Sequence, residues 1–272
     1  AYRRQRQMCI RDRFQLDVDF IHTQVEDPAW YIDVSQEQTG TTAANQAIYE
    51  YVNGSENYML TNGPDEGDSS TFSFSARKAF DFDDKGELDL MLGYAHTKAK
   101  DISPMTAAVA YSNFGTLALN DIFNPAPGTS DYVIPHRATL RASYEVNLFG
   151  DNKTRFILYA YRYEGQPGSF SMAGGSVLEG SRYNSRHLLY VPAVNDPYVT
   201  YADGFDRAGF DAFIAQHGLQ PGFVERNSVH AAWTSRIDLR IDQEIPLGFE
   251  DVKARAFPVS YTHLTLPTIC SV

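Results

Sequence analysis

Charged side chains recur at every second or fourth position in two segments of this chain, and they are the residues best placed for chemistry. The first segment holds Arg137, Arg141 and Glu145, and the second holds Arg236, Asp238, Arg240, Asp242 and Glu244. In an extended strand this spacing puts the charges of a segment on one side. A row of both signs can pair internally and stay hydrated. The pattern predicts noncovalent chemistry on a strand face that lines a water-filled or plugged interior.

A second group of candidate side chains lies in one long connection, 165–234. Aromatic and arginine residues are common contacts in binding surfaces. The members of the group are Arg182, Tyr183, Arg186, Tyr190, Tyr198, Tyr201 and Arg207. We expect them to contact an extracellular ligand, with packing of the loop upon itself as the alternative. Within this connection, 210–218 spaces apolar residues three and four apart and ends in glycine, which predicts a short helix.

Sequence motifs for covalent chemistry and for metal binding are not found. The segment 81–86 begins like a calcium loop, but Lys85 occupies a ligand position and Leu92 stands where a bidentate glutamate is needed. Acidic residues within 65–68 are typical of a solvated loop, with a cation site as the alternative. The histidines lack zinc-site spacing, and no nucleophile elbow or phosphate loop occurs. We therefore predict no enzyme, no metal site and no cofactor.

The elements that must position the charged rows are long strands. Apolar and polar residues alternate with a period of two, which is typical of strands, over 14–20, 70–82, 87–99, 137–148, 154–164, 236–245 and 252–256. Tight turns near 83–86, 150–153 and 246–248 join three pairs of them. The other connections, roughly 24–69, 100–135 and 165–234, far exceed the loops of about four to six residues found in compact soluble domains.

Long strands with alternating short and long links are typical of outer-membrane barrels. A soluble sandwich, the alternative, usually has strands of about five or six residues. Aromatic residues near strand ends predict girdles at the lipid interfaces, with a soluble core as the alternative: Phe80, Phe82, Phe149, Tyr159, Tyr161 and Tyr163. The predicted fold is all-β, an antiparallel up-and-down transmembrane β-barrel present as a fragment of about seven strands. Apolar faces would meet outer-membrane lipid, and the long loops would be extracellular.

Composition narrows the class of protein further. The chain has 272 residues, of which 43% are hydrophobic, yet it contains no run long enough for a transmembrane helix. Its formal charge of −11 argues against nucleic acid as a partner, because phosphate binding needs a basic surface. The two cysteines, Cys9 and Cys270, stand near the two ends, so the region between them offers no thiolate metal site.

The two ends differ from the rest of the chain. Residues 1–13 carry five arginines, and residues 258–272 carry no charged residue. Both resemble translated sequencing-library adapter, and such segments are excluded from fold reasoning. We expect 1–13 and 258–272 to be non-native, with a partial barrel domain at 14–257 that is an internal piece of a longer protein.

Five segments carry a resemblance to a known family: PHR at 135–137, EGQPGS at 164–169, LLYVP at 188–192, ERNS at 225–228 and WTSRIDLRIDQE at 233–244. On these motifs the stretch from about 135 to 257 resembles the distal barrel of a TonB-dependent outer-membrane receptor, especially the Oar-like group. The family pattern favours a proline before the tryptophan, where this chain has Ala232. Residues 14–134 fit the architecture but carry weaker motifs.

The resemblance implies energised uptake of an unidentified extracellular ligand across the outer membrane of a Gram-negative bacterium. Such receptors have a barrel of about 22 strands whose lumen is filled by a plug, and a TonB-type energising complex acts through that plug. The plug is not encoded in this sequence. A passive porin or a surface adhesin, in which the same loops bind partners and no plug exists, is the alternative function.

Overall fold

The structure, a computed structural model, describes residues 2–10, 14–43, 45–52, 54, 56–172, 186–247 and 253–265. The strands are β1 (Tyr2–Ile10), β2 (Phe14–Val25), β3 (Ala29–Asp33), β4 (Gln36–Thr41), β5 (Ala47–Tyr51), β6 (Tyr58–Asn62), β7 (Gly67–Asp81), β8 (Glu87–Asp101), β9 (Gly128–Thr129), β10 (His136–Phe149), β11 (Asn152–Tyr163), β12 (Pro167–Gly168), β13 (Tyr190–Val191), β14 (Gly222–Phe223), β15 (Val229–His230), β16 (Thr234–Pro246), β17 (Lys253–Ala256) and β18 (Val259–Thr265). The helices are α1 (Ala110–Gly115) and α2 (Arg207–His217), and a 3₁₀ turn covers Asp83–Lys85.

One antiparallel sheet dominates the molecule. Its long strands follow the order β1, β2, β7, β8, β10, β11, β16 and β17, so each long strand lies beside its neighbour in the chain. The seven predicted strands are all present, and the all-β class is confirmed. Among the described residues the sheet does not close, since β1 forms one edge and β17 and β18, which both pair with β16, form the other.

The links between β7 and β8 and between β10 and β11 are tight turns, as predicted, whereas the third predicted turn, 246–248, runs outside the described residues. At the turn between β7 and β8, Gly86 has a φ of 104°, and a Cβ there would lie 2.2 Å from the carbonyl oxygen of Glu145. Only glycine combines this backbone conformation with so close an approach. Between β10 and β11 the register shifts between Asn147 and Phe149, which marks a bulge.

The sheet has one apolar face. It is formed by even-numbered residues of β2, β7, β8, β10 and β11 and by odd-numbered residues of β16. One row across six strands reads Leu16, Ala76, Leu92, Leu140, Ala160 and Ile237. Large side chains on this face are open to their surroundings, with Phe20 54%, Leu92 52% and Leu239 43% exposed. We call it the apolar face, and the opposite one the charged face.

Three tyrosines differ from their predicted place. Tyr159, Tyr161 and Tyr163 pair in register with Arg141, Thr139 and Arg137, so they lie on the charged face. The prediction that they form part of a lipid-facing girdle is therefore wrong. Phe80, opposite Leu88, does lie on the apolar face.

Buried apolar side chains lie in the long connections instead of the long strands. We call these connections L1 (26–66), L2 (102–135) and L3 (164–233), and together the loop layer. One cluster joins L1 to L2 through Trp30, Tyr49, Ile102, Phe114, Leu117, Leu119 and Ile122. A second, in L3, contains Leu188, Val191 and Val224. The three connections are thus packed structures with cores of their own.

The predicted helix of L3 is confirmed as α2. Its N-cap residue Asp206 accepts a hydrogen bond from the backbone N–H of Gly209 at 2.8 Å, and its C-cap residue Gly218 is left-handed with a φ of 62°. None of the described helices has the length and apolar character needed to cross a membrane.

The described parts of the two end segments that the sequence analysis expects to be non-native, 2–10 and 258–265, are largely extended. β1 pairs with β2 from Tyr2 to Ile10, and β18 pairs with β16 from Val259 to Thr265. Each adds backbone to one edge of the sheet.

Candidate functional site: the charged face and the loop layer

The eight predicted lumen residues all lie on the charged face, on β10 and β16. Most of them are held in ion pairs along or across the strands. Arg236 pairs with Asp238 at 2.7 Å, and Arg240 pairs with Asp242 at 2.5 Å. The remaining contacts are Glu145 with Lys153 and Arg155, and Glu244 with Lys253 and Arg255. Six of these eight side chains are therefore paired with an opposite charge.

The other two of the eight residues are arginines without an ion-pair partner in the described part of the chain. Arg137 and Arg141 stand four residues apart on β10, so they share a face, and both are exposed. Within the described part of the chain neither side chain makes an ion pair. They are cations available to a group that approaches the charged face.

A shallow depression lies beside Arg137. It has a volume of about 270 Å³ and is lined by Asp17, Asp19, Ser73 and Thr139 among others. Gly93 forms its floor, and a Cβ there would lie 2.7 Å from Thr139 Oγ1. Opposite charges at its two sides suit hydrogen bonding to a polar surface or solute.

The predicted ligand contacts of L3 are only partly brought together. Arg182 and Tyr183 lie outside the described residues. Arg186 is 4% exposed, donates a hydrogen bond to the carbonyl oxygen of Phe114, and lies 4.6 Å from the centre of that ring. Its role is to fasten L3 to α1, because a buried guanidinium stacked on an aromatic ring is not open to a ligand.

Tyr190 and Tyr198 line one pocket. With Gln46 of L1 and Met172 and Phe223 of L3, they enclose about 180 Å³ between the two connections. The Tyr190 hydroxyl donates to Asp196 at 2.8 Å. The backbone N–H of Tyr198, followed by that hydroxyl, holds the pKa of Asp196 below its usual value.

Tyr201 and Arg207 form a separate cluster at the start of α2. The Arg207 guanidinium lies 4.4 Å from the Tyr201 ring centre and pairs with Asp211 at 2.9 Å. Both ion-pair partners are about half exposed, with side-chain values of 50% and 54%. These residues are accessible, but they do not line the Tyr190 pocket.

The sequence analysis missed a second residue that joins L3 to L2. Arg226 is 5% exposed and donates to the carbonyl oxygens of Ile102 at 3.0 Å and Gly128 at 3.1 Å. It also pairs with the carboxylate of Asp101 at 2.7 Å. Its only sequence signal was its place in the ERNS motif at 225–228, which the analysis used as a family marker and not as a contact.

Asn227 completes this junction. It has a left-handed φ of 57°, which asparagine tolerates better than most residues. Its amide donates to the carbonyl oxygen of Thr129 at 2.7 Å and to Asp131, and its backbone N–H donates to Ser169 Oγ at 2.8 Å. Two consecutive residues therefore hold L3 against L2.

A parallel junction joins L1 to L2. The Tyr49 hydroxyl donates to Asp121 at 2.7 Å, and burial together with this bond raises the pKa of Tyr49. Asp121 also accepts from the backbone N–H groups of Phe123 and Asn124. The loop layer is thus cross-linked through L2.

No group of three or more metal-ligating side chains occurs among the described residues. Comparisons with protein families, with curated proteins and with solved structures gave no match.

Proposed function

We propose that this chain is part of the barrel wall and external loops of an outer-membrane receptor of the TonB-dependent type, which takes up a ligand with energy supplied from the inner membrane. The observation that carries the proposal is the inverted burial of the molecule. Apolar side chains are buried in the loop layer, while those of the long strands remain exposed on one continuous face.

Lipid is the surrounding that suits the apolar face. Moving one Leu, Ile or Phe side chain from water into an apolar environment contributes about 1.5–3 kcal/mol of favourable free energy. A face of such residues across six strands would be costly in water. In the described part of the chain no layer of helices or second sheet covers it. Hydrocarbon would cover it without further protein.

The charged face suits a lumen filled by a plug. The carboxylates of β16 and Glu145 of β10 pair with basic groups, so these two strands can lie against another polar protein surface without leaving their own carboxylates unpaired. Arg137 and Arg141 add two cations that can bind acceptors on that surface. The plug is where the energising complex would act.

The open edges require a larger structure. A sheet edge in hydrocarbon leaves backbone N–H and C=O groups without partners, at a cost of several kcal/mol each. The proposal therefore needs further strands to close the barrel, up to the roughly 22 strands of plugged outer-membrane transporters. The passive porin or adhesin needs closure as well, but with fewer strands and no plug.

Reading the native gene through both ends of this sequence tests the proposal. We expect an upstream domain of plug size and enough strand-forming segments to bring the total near 22. A secretion signal that leads almost directly into β2 would contradict the receptor and favour the porin or adhesin. A native protein that is soluble and monomeric without detergent would contradict both.

A further inference from the structure

A shallow hollow interrupts the apolar face near the loop layer. It has a volume of about 440 Å³. Ala138 and Ala160 leave this space because their side chains are small, and Leu92, Leu140 and Ile237 stand around them. Leu92 and Ile237 are 52% and 41% exposed, so the hollow opens outward from the sheet. Its side chains along these strands are apolar, which suits a hydrocarbon chain.

One exposed cation stands at the loop-side end of the hollow. Arg162 lines it and pairs in register with Ala138 and Ser235, which places it on the apolar face. In the described part of the chain its side chain makes no ion pair. Glu164, two residues further along the chain, has its carboxylate 3.8 Å from His230. The Arg162 guanidinium is therefore available to an acceptor from outside the protein.

Aromatic rings fix the position of this cation. The Arg162 guanidinium lies 5.0 Å from the ring centre of Trp233, which stacks on His136 at 6.1 Å. His136 stacks in turn on His96 at 4.5 Å, and its Nδ1 lies 2.7 Å from the Tyr94 hydroxyl oxygen. Trp and Tyr are enriched where a protein surface passes from hydrocarbon to polar headgroups. In a membrane, we expect this row of rings to hold Arg162 at headgroup depth.

The charge at this end of the apolar face favours an anionic headgroup. Lys98 of β8 lies on the same face as Arg162 and also makes no ion pair among the described residues. Lys100, further along β8, is offset by Asp68, which lies opposite it. Lys98 and Arg162 thus outnumber Glu164, the carboxylate at the described loop-side end of the four strands around the hollow. A guanidinium binds phosphate through paired hydrogen bonds. An apolar chain with an anionic phosphate group therefore matches both parts of the site.

We propose that the hollow binds one acyl chain of an anionic phospholipid, whose phosphate group is held by Arg162. We call this the lipid site, made by Ala138, Ala160, Arg162 and Trp233. It rests on the proposed function because it requires that the apolar face meet a membrane, but it requires no plug. Bulk lipid would cover the face without preference, whereas the lipid site selects one headgroup charge at one place.

Quenching of Trp233 fluorescence by brominated lipid tests the lipid site. The whole chain is held in dodecyl maltoside micelles that contain phosphatidylglycerol or phosphatidylcholine, each brominated on one acyl chain. Trp30, the other tryptophan, is 1% exposed in the loop layer and gives a constant background. We expect half-maximal quenching at a mole fraction about tenfold lower for phosphatidylglycerol, the worth of one hydrogen bond between charged groups. The chain itself carries a formal charge of −11, so its net charge would oppose this preference.

Arg162→Gln should remove the preference, because glutamine removes the charge that holds the phosphate group. Arg162→Lys keeps the charge and should retain a preference for phosphatidylglycerol. The matched control is Lys78→Gln, which removes a cation of the same face near the turns, 4.9 Å from the Phe80 ring centre, and should keep the full preference. Equal quenching by the two lipids in the wild type, or a preference that survives Arg162→Gln, would overturn the lipid site.

A second variant keeps the test independent of the arginine. Ala138→Phe fills the hollow at an exposed position and leaves Arg162 in place. It should weaken quenching by phosphatidylglycerol, and unchanged quenching would contradict an acyl chain in the hollow. Glycerol 3-phosphate, which carries the phosphate group without acyl chains, should not reverse the quenching when it is in excess over the lipid. Reversal would show a site for free anions and overturn the proposal.

These outcomes are separable from failure of the receptor proposal. A native gene without a domain of plug size would contradict the receptor and leave a measured lipid preference in place. A gene that encodes the plug, together with equal quenching by the two lipids, would do the reverse.

Discussion

The sheet and the loop layer differ in where their apolar side chains lie, and the difference is the reverse of that in a soluble β-protein. In a soluble β-protein the strands face a core and the loops are solvated. Here the loops hold the buried side chains, such as Trp30 and Phe114, while strand residues such as Leu92 remain half exposed. Exposed apolar side chains on a strand are costly in water, and loops with their own core can hold a fixed shape beyond the strands.

The two regions also differ in how their charged side chains are paired and buried. On the sheet, ion pairs lie side by side on an open face, as with Lys153 and Glu145, and exposed pairs contribute about 0–1 kcal/mol each. In the loop layer, one buried arginine binds several backbone carbonyl groups. Breaking a buried charge network costs about 3–5 kcal/mol. Local stability should therefore respond to mutation in very different ways in the two regions.

The largest expected effect is that of Arg226→Met. The change removes four hydrogen bonds and leaves Asp101 with an unpaired carboxylate at the junction of L3 and L2. We expect the loop layer to lose about 3–5 kcal/mol of opening free energy. Hydrogen exchange of peptides from 102–135 and 186–233 measures this. Equal loss of protection in β7 and β8 would contradict the division between the two regions.

Leu140→Arg tests the sheet. If the apolar face meets lipid at mid-depth, the charge costs about 2–4 kcal/mol of folding free energy in the membrane. The matched control is Ser143→Arg on the same strand, where the new side chain lies on the charged face opposite Asp89. Folding into phosphatidylcholine vesicles across a urea series gives both values. Equal cost at the two positions would count against a lipid-facing side.

Acid should loosen the loop layer through His187. Burial, reinforced by the charge of Arg186, lowers the pKa of His187 to about 4. In the unfolded chain the pKa of His187 is about 6.5, so below this pH the unfolded chain binds a proton at His187 that the folded chain does not bind. This contribution to stability is thus complete above that value and is lost as the pH falls toward 4, by up to about 1.4 kcal/mol per pH unit.

Opening of L3, followed by hydrogen exchange between pH 7 and pH 4, measures the slope due to His187. His187→Gln should flatten it. A slope that survives the removal of His187 would assign the acid response to other groups.

Asp211→Asn should have the smallest effect. Its partner Arg207 is exposed, and an exposed pair four residues apart on a helix contributes little to stability because water screens it. Thermal unfolding of the variant should shift by no more than a few degrees. A loss comparable with that of Arg226→Met would show that α2 is part of the buried junction.

The strands could be predicted from the sequence because their period is local. Alternation alone places Arg236 and Glu244 on one side of β16, and Gly86 marks a turn whose φ only glycine readily adopts. The face of the sheet on which Tyr159 lies was harder to predict. It depends on the register between two strands, and the bulge between Asn147 and Phe149 shifts that register by one residue.

The loop layer could not be predicted from the sequence because its contacts join residues far apart in the chain. Arg226 meets Asp101 across 125 residues, and Arg186 meets Phe114 across 72. No period or motif links such partners. Arg186 was expected at a ligand because arginine is common in interfaces, and it is buried because an aromatic ring and a carbonyl group of L2 lie beside it.

The most direct test of the account is a nitroxide scan along β10. Cysteines at 137–146 are labelled one at a time in a chain whose Cys9 and Cys270 are replaced by serine, and the protein is reconstituted in lipid vesicles. Collision rates with oxygen, which concentrates in lipid, and with a nickel chelate, which stays in water, are then compared. We predict that oxygen peaks at 138, 140, 142, 144 and 146, and that nickel peaks only at the odd positions between them. Two results would contradict a sheet with one face in lipid and the other in a polar interior. Either the two collision rates peak at the same positions, or neither rate alternates with a period of two.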